Sequence, residues 1–220
     1  MTIALPLLAQ AAGRTDSTLC ERGRRQSPID IVATQRQVQA PLQFHYQPAA
    51  LRIVNDGHTV RVRYANTSRM LIGAEPYTLQ QFHFHVPGGD KVQGEEFAMG
   101  MHFLHKSHAG QLVSLVVLFR LGAENAALAR LLPDMPASGV AEQTLAGSTF
   151  DPAALLPTTH GYYAYDGSLT APPCTEGVRW LVMKQPLTLS APQLARLRQL
   201  FPPNARPVQA LNGRIVTEQP

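Results

Sequence analysis

The stretch that most constrains this chain is Gln81-Phe82-His83-Phe84-His85, where aromatic and polar residues alternate one by one. Such alternation belongs to an extended strand, whose successive side chains leave opposite faces. It predicts a strand over Leu79–Val86, with Phe82 and Phe84 on one face and His83 and His85 on the other. Two imidazoles on one face of a strand can share an ion. Phe97–His105 predicts a second strand, on which His102 and Leu104 share a face and His105 takes the opposite one. If the two strands pair, His102 completes a three-histidine set. That set leaves a fourth tetrahedral position for water, as in catalytic zinc sites. Zinc lowers the pKa of such a water to about 7. An isolated His-x-His strand is more often ordinary packing, and His105 and His108 are read that way.

The rest of the pattern is that of a β-rich chain. Eighteen prolines and 16 glycines are spread along 220 residues and cut the apolar runs short. Leu51–Val54 and His58–Tyr64, joined through Asn55-Asp56-Gly57, predict a hairpin. Gln26–Ile31 is extended, Gln111–Leu121 and Val178–Met183 are strands, and Pro87-Gly88-Gly89-Asp90 breaks the histidine strand. Asn125–Leu132 is a short helix ended by Pro133, and Ala191–Phe201 is a helix with Ser190 as its N-cap. Residues 1–25 read as irregular and the remainder as loop. The expected fold is a β-rich α+β single domain. Its large, mostly antiparallel central β-sheet carries short peripheral helices.

Charge excludes some functions. The net charge is +4, but the basic residues are scattered and only Arg22-Gly23-Arg24-Arg25 clusters. No basic stripe interleaved with aromatics marks a nucleic-acid surface, and no apolar run is long enough for a membrane span. Residues 1–19 form an N-terminal segment ahead of a domain over 20–220. Met1–Ala12 is apolar with small residues at its end, which fits a remnant of an export signal although it lacks a positive start. Cys20 and Cys174 are either two free core thiols or one disulfide closing most of the chain.

Several motifs occur together in one order: Gln26-Ser-Pro-Ile-Asp-Ile31, Asn55-Asp-Gly-His58, Gln81-Phe-His-Phe-His85, Met101-His-Phe-Leu-His105, Gly167-Ser-Leu-Thr-Ala-Pro-Pro-Cys174 with Glu176, Trp180, and Asn204-Ala-Arg-Pro-Val-Gln209. In these the chain resembles the α-class carbonic anhydrases of the bacterial, exported type, from about Cys20 to Val216. The resemblance implies a zinc lyase for the reversible hydration of carbon dioxide to bicarbonate and a proton, through zinc-bound hydroxide. It implies His83, His85 and His102 as zinc ligands, and Thr170 as the hydroxyl that orients the hydroxide. It also implies His58 as the proton shuttle, a task suited to an imidazole. Gln81 and Asn204 are implied as outer partners of the ligands. Leu104, Ser114, Leu169 and Trp180 are implied as the carbon dioxide pocket, and Cys20–Cys174 as a disulfide. Sulfonamide-type inhibitors, a periplasmic or secreted location, and a monomer or homodimer follow from the same likeness.

The chain also departs from that pattern. Gly89 stands where relatives carry the Glu that accepts from the threonine hydroxyl, with Asp90, Glu95 and Glu96 as candidate substitutes. Gly100 stands where a Glu usually supports the third ligand, and Ser114 where the pocket is usually apolar. The Trp/Tyr-rich entry segment is absent. Restoring the carboxylate as Gly89→Glu is expected to raise turnover if its loss limits the enzyme. The rival reading is a catalytically weakened or inactive carbonic-anhydrase-like zinc-binding module.

Overall fold

A computed structural model describes residues 17–64 and 67–219. The proposed export-signal remnant over Met1–Ala12 lies outside the described residues. Fifteen strands are present among the described residues. They are β1 (Asp30–Ile31), β2 (Gln35–Arg36), β3 (Leu42–His45), β4 (Ala49–Asn55), β5 (Val60–Arg63), β6 (Arg69–Ile72), β7 (Glu75–His85), β8 (Lys91–Val92), β9 (Met99–Ser107), β10 (Leu112–Leu121), β11 (Gln143–Phe150), β12 (Tyr162–Ser168), β13 (Glu176–Met183), β14 (Leu187–Leu189) and β15 (Thr217–Gln219). The helices are α1 (Ser17–Arg22), α2 (Ala126–Leu131) and α3 (Ala191–Leu200).

Thirteen strands make one sheet, with the order β11-β4-β5-β7-β9-β10-β13-β12-β15-β2 along its main path. Most pairings are antiparallel; β10 pairs in parallel with β13 and β14, as does β15 with β2. The expected mostly antiparallel central sheet is therefore present, as a mixed sheet with few short helices.

The centre of the sheet is buried on both faces, and the sequence of β10 shows why it had to be. Val113, Leu115, Val117 and Phe119 enter one core, while Val116 and Leu118 enter another. A strand covered on both sides reads as a continuous apolar run. The larger core also takes Phe82 and Phe84 from β7, Met99, Met101 and Phe103 from β9, and Leu128, Leu131, Leu194 and Leu197 from α2 and α3. Each such large side chain contributes about 1.5–3 kcal/mol by leaving water. His105 faces this core, fully buried, with its Nε2 2.7 Å from the Tyr46 hydroxyl and its Nδ1 on the Phe103 carbonyl. The smaller core lies on the other face, with Ile29, Ile31, Val178, Trp180 and Val182.

Local chemistry sets the element ends. Asp56 Oδ1 accepts from the backbone N–H groups of His58 and Thr59, and Asn55 Oδ1 from that of Gly57, so the β4–β5 hairpin turns with His58 at its tip. The Ser190 hydroxyl accepts from the Gln193 backbone N–H, and the Gln193 side chain accepts from the Ser190 and Asn125 backbone N–H groups. One side chain thereby joins the starts of α3 and α2.

The short helix ended by Pro133 is present as α2, and a single 3-10 turn over Leu132–Asp134 follows it. Two expectations are corrected. Ser17–Arg22 is helical rather than irregular. The supposed loops contain strands, among them β3, β6, β11 and β12. Their ladders come from distant partners, and β11 is mostly exposed, so it lacks the alternation that marks a half-buried strand.

Cys20 and Cys174 are disulfide-bonded, with Cα atoms 5.0 Å apart across 154 positions of sequence. The bond ties α1 to the loop that follows Thr170, and no described helix is long and apolar enough to cross a membrane. Reduction should lower the unfolding free energy by up to about 5 kcal/mol, the loop-closure contribution of so long a loop. Denaturant titrations with and without reductant check this, and coincident curves would contradict it.

Candidate active site

The register of the central strands assembles the site. In the β7–β9 pairing His83 stands opposite His102, His85 opposite Gly100, and Gln81 opposite Leu104. Next along the sheet, Leu104 faces Ser114 and Ser114 faces Trp180. On the other side, Arg61 of β5 faces His83. Side chains as far apart in sequence as Arg61 and Trp180 thus form two neighbouring rows on one face.

His83, His85 and His102 each offer a nitrogen within 4.8 Å of the others. Gln81 Oε1 lies 3.0 Å from His83 Nδ1; an amide oxygen only accepts, so Nδ1 carries the proton. The Nε2 lone pair of His83 is then aimed at His85 Nε2, 3.1 Å away. Burial, followed by the neighbouring charges of His85, Arg61 and His58, holds His83 well below the usual imidazole range. Burial likewise lowers His85 to about 4, against the raising effect of a hydrogen bond to the Asn204 backbone, and it lowers His102. All three rings are therefore neutral at pH 7, the state a metal ligand needs. His102 Nε2 is buried without a hydrogen-bond partner among the described residues. Converging neutral nitrogens with an orphaned one among them fit a cation, and three imidazoles suit zinc.

Asn204 braces the cluster. Its Oδ1 accepts from the Val86 N–H at 2.9 Å, and its Nδ2 donates to the carbonyls of Phe84 (2.9 Å) and His58 (2.8 Å). Thr59 Oγ1 adds a bond to the Phe84 carbonyl at 2.7 Å. The hairpin tip bearing exposed His58 is thereby fastened to the end of the histidine strand.

Beside the histidines lies a cavity of about 190 Å³ lined by His83, His102, Leu104, Ser114, Leu169, Thr170 and Trp180, with Arg61, Gln81 and Val178. Trp180 meets the His102 ring edge-on at 5.1 Å and donates from Nε1 to the Ser168 carbonyl at 3.0 Å. Arg61 and Val178 escaped the sequence reading. Arg61 alternates correctly within its strand, but only the β5–β7 register puts it beside His83.

None of the candidate substitute carboxylates is bonded to Thr170. Glu95 pairs with Arg120 and Glu96 with Lys91, both at the surface. Asp90 is buried and accepts instead from Tyr165 and the Ile29 backbone. Gly100 is required by contact: a Cβ there would run into the carbonyl of Gly88. Gly89 has a φ of +86°, and a Cβ on it would face the Pro28 ring at 3.7 Å.

Comparison with known proteins adds an independent line. The family model for the eukaryotic-type carbonic anhydrases matches residues 12–220. A carbonic anhydrase of Klebsiella pneumoniae is 44% identical over 203 residues, covering 90% of this chain and 82% of that protein. The structure of a Photobacterium profundum α-carbonic anhydrase superposes with a TM-score of 0.85 at 37% identity, covering 92% of this chain and 93% of that one. A Thermovibrio ammonificans α-carbonic anhydrase, solved with the inhibitor sulfanilamide, gives 0.87 at 37% identity over 92% and 90% of the two chains.

Two outcomes follow from the geometry. His102→Ala should lower zinc retention by more than the ~10–100-fold that loss of an outer partner costs. Metal analysis after dialysis checks this, and full occupancy in the variant would remove His102 from the ligand set. Gly89→Glu should not raise turnover, contrary to the sequence-based expectation. It should instead cost about 1–2 kcal/mol of stability, because the left-handed backbone penalises a side chain. Thermal melts and hydration rates measured side by side decide between the two expectations.

Proposed function

The chain belongs to the eukaryotic-type carbonic anhydrase family, and on that premise we propose that its three-histidine cluster holds zinc and that it hydrates carbon dioxide reversibly to bicarbonate. Zinc-dependent hydration of carbon dioxide is the activity of the family. The observation that carries the reading for this chain is the convergence of His83, His85 and His102 beside a small, largely apolar cavity. Zinc bound there would lower the pKa of a water ligand to about 7 and so supply hydroxide at neutral pH.

The chain's own residues then have separate tasks. Gln81 Oε1 keeps the proton of His83 on Nδ1, which leaves Nε2 to the metal. The Asn204 backbone orients His85. Leu104, Leu169 and Trp180 shape the space for an apolar, linear substrate, and Ser114 sets one hydroxyl into its wall. Thr170 offers a hydroxyl and a backbone N–H at the rim of the same space. His58 receives the product proton on its imidazole and passes it to buffer, from an exposed position anchored through its carbonyl to Asn204. The domain is assigned to residues 20–220 and the preceding segment to export. The Cys20–Cys174 bond supports a periplasmic or secreted protein, since such bonds persist in oxidising compartments. Sulfonamides are expected as inhibitors, and the protein is expected to be a monomer or homodimer.

A second reading, a weakened enzyme or a zinc-binding module, is favoured by one observation. None of Asp90, Glu95 and Glu96 bonds to the Thr170 hydroxyl, so its orientation is less constrained than an acceptor carboxylate would make it. Stopped-flow hydration of carbon dioxide by metal-analysed protein separates the two. Zinc-loaded protein without activity would establish the module. In the active protein, His58→Ala should lower turnover in weak buffer, toward the ~100-fold that a positioned proton-transfer group contributes. Concentrated imidazole buffer should restore it; an unchanged rate in weak buffer would remove His58 from the proton path.

A further inference from the structure

The tasks assigned above leave one buried acid unused. Asp90 is 1% exposed, and its Oδ2 has no hydrogen-bond partner among the described residues. Keeping a carboxyl group away from water without full compensation is costly. Burial pushes this one up to about 7, against the lowering effect of the bonds it accepts.

Those bonds lead to the active site. Tyr165 donates from its hydroxyl to Asp90 Oδ1 at 3.0 Å, and the Ile29 backbone N–H donates to the same oxygen at 3.2 Å. With its proton committed to Asp90, the Tyr165 oxygen is left as an acceptor, and the Ser27 hydroxyl lies against the same stretch of β12, where a Cβ on Gly167 would run into its Oγ. Ser27 Oγ accepts from the Ser168 N–H at 3.1 Å, and Ser168 Oγ accepts from the Ser27 N–H at 3.0 Å. The Ser168 carbonyl takes the Trp180 indole N–H. Asp90, Tyr165, Ser27, Ser168 and Trp180 are all at most 2% exposed. Asp90 is thus the acceptor that fixes Tyr165 and, through Ile29, the segment carrying Ser27, and Ser27 in turn holds Ser168 and the backbone leading into Leu169 and Thr170.

The same loop explains how the acid reaches this place. The Gly88 N–H bonds to the Phe97 carbonyl, and the bare Gly100 lets the Gly88 backbone lie against it. A loop packed so closely seats Asp90 beneath Tyr165.

We propose that Asp90 is a positioning residue for the Leu169–Thr170 wall of the cavity, acting through Tyr165, Ser27 and Ser168 and standing in for the carboxylate that Gly89 lacks. The proposal rests on the hydratase reading for its catalytic consequence, but the hydrogen-bonded chain is testable without metal. Amide hydrogen exchange on the metal-free protein should show Ser168 protected. Tyr165→Phe and Asp90→Leu should speed its exchange at least about tenfold while the Val116 amide in β10 stays unchanged. In zinc-loaded protein the same variants should lose kcat several-fold at constant zinc content and KM. Asp90→Asn keeps an oxygen for the Tyr165 hydroxyl and should recover most of both properties. If Asp90→Leu fails to fold, Tyr165→Phe decides. Wild-type exchange at Ser168 in folded Tyr165→Phe overturns the proposal, and so does faster exchange with unaltered kcat. Should zinc-loaded wild type not hydrate carbon dioxide, the functional reading fails, and the exchange experiment alone judges the chain.

Discussion

The antiparallel register of β7 against β9 is the constraint on which the rest of the structure depends. It sets His83 opposite His102, and the two-residue period of a strand then assigns every neighbour to a side. A slip of one residue would turn the imidazoles into the apolar core and Phe82, Phe84 and Phe103 toward the cavity. Burial of those rings, with centroids 5.4–5.9 Å apart where they meet, therefore holds the register that gathers the histidines. Stability and site geometry are two faces of the same strands.

Around that register the chain uses buried polar groups as joints. Asn204 and Thr59 lock the hairpin tip to the end of β7. Gln26 and Arg206 tie the first described turn to the Cys174 loop and the C-terminal segment, through the carbonyls of Cys174, Ser27 and Cys20. These contacts span up to 186 positions. They close the wall beside Thr170 from behind. Asp90 and His102 each keep one buried polar atom without a partner among the described residues.

Much of the fold was legible because its central strands are long and buried. β7, β9, β10 and β13 carry clear patterns, and the hairpin and α3 carry explicit turn and cap residues. The strands that escaped were short or exposed, with ladders supplied by remote partners. The tyrosine-rich β12 was hidden by Asp166 and Gly167, which read as breakers until β13 is seen to pair with it. At the site, the histidines announced themselves by spacing. Arg61 did not, and Asp90 was only one of three candidate carboxylates, because nothing local distinguishes a cavity-facing arginine or a buried aspartate from exposed ones.

The sequence by itself determined which residues could be ligands, which face of each strand they occupy, and the family to which their order of motifs points. These depend on local periodicity and on residue chemistry, both of which are written along the chain. Only the tertiary structure decided that Gly89 is left-handed, that Gly100 touches Gly88, and that Asp90 turns to Tyr165 rather than to Thr170. Those outcomes depend on how two backbones approach each other across the sheet. Such an approach is set by packing and hydrogen bonding among remote segments, and no local pattern encodes it.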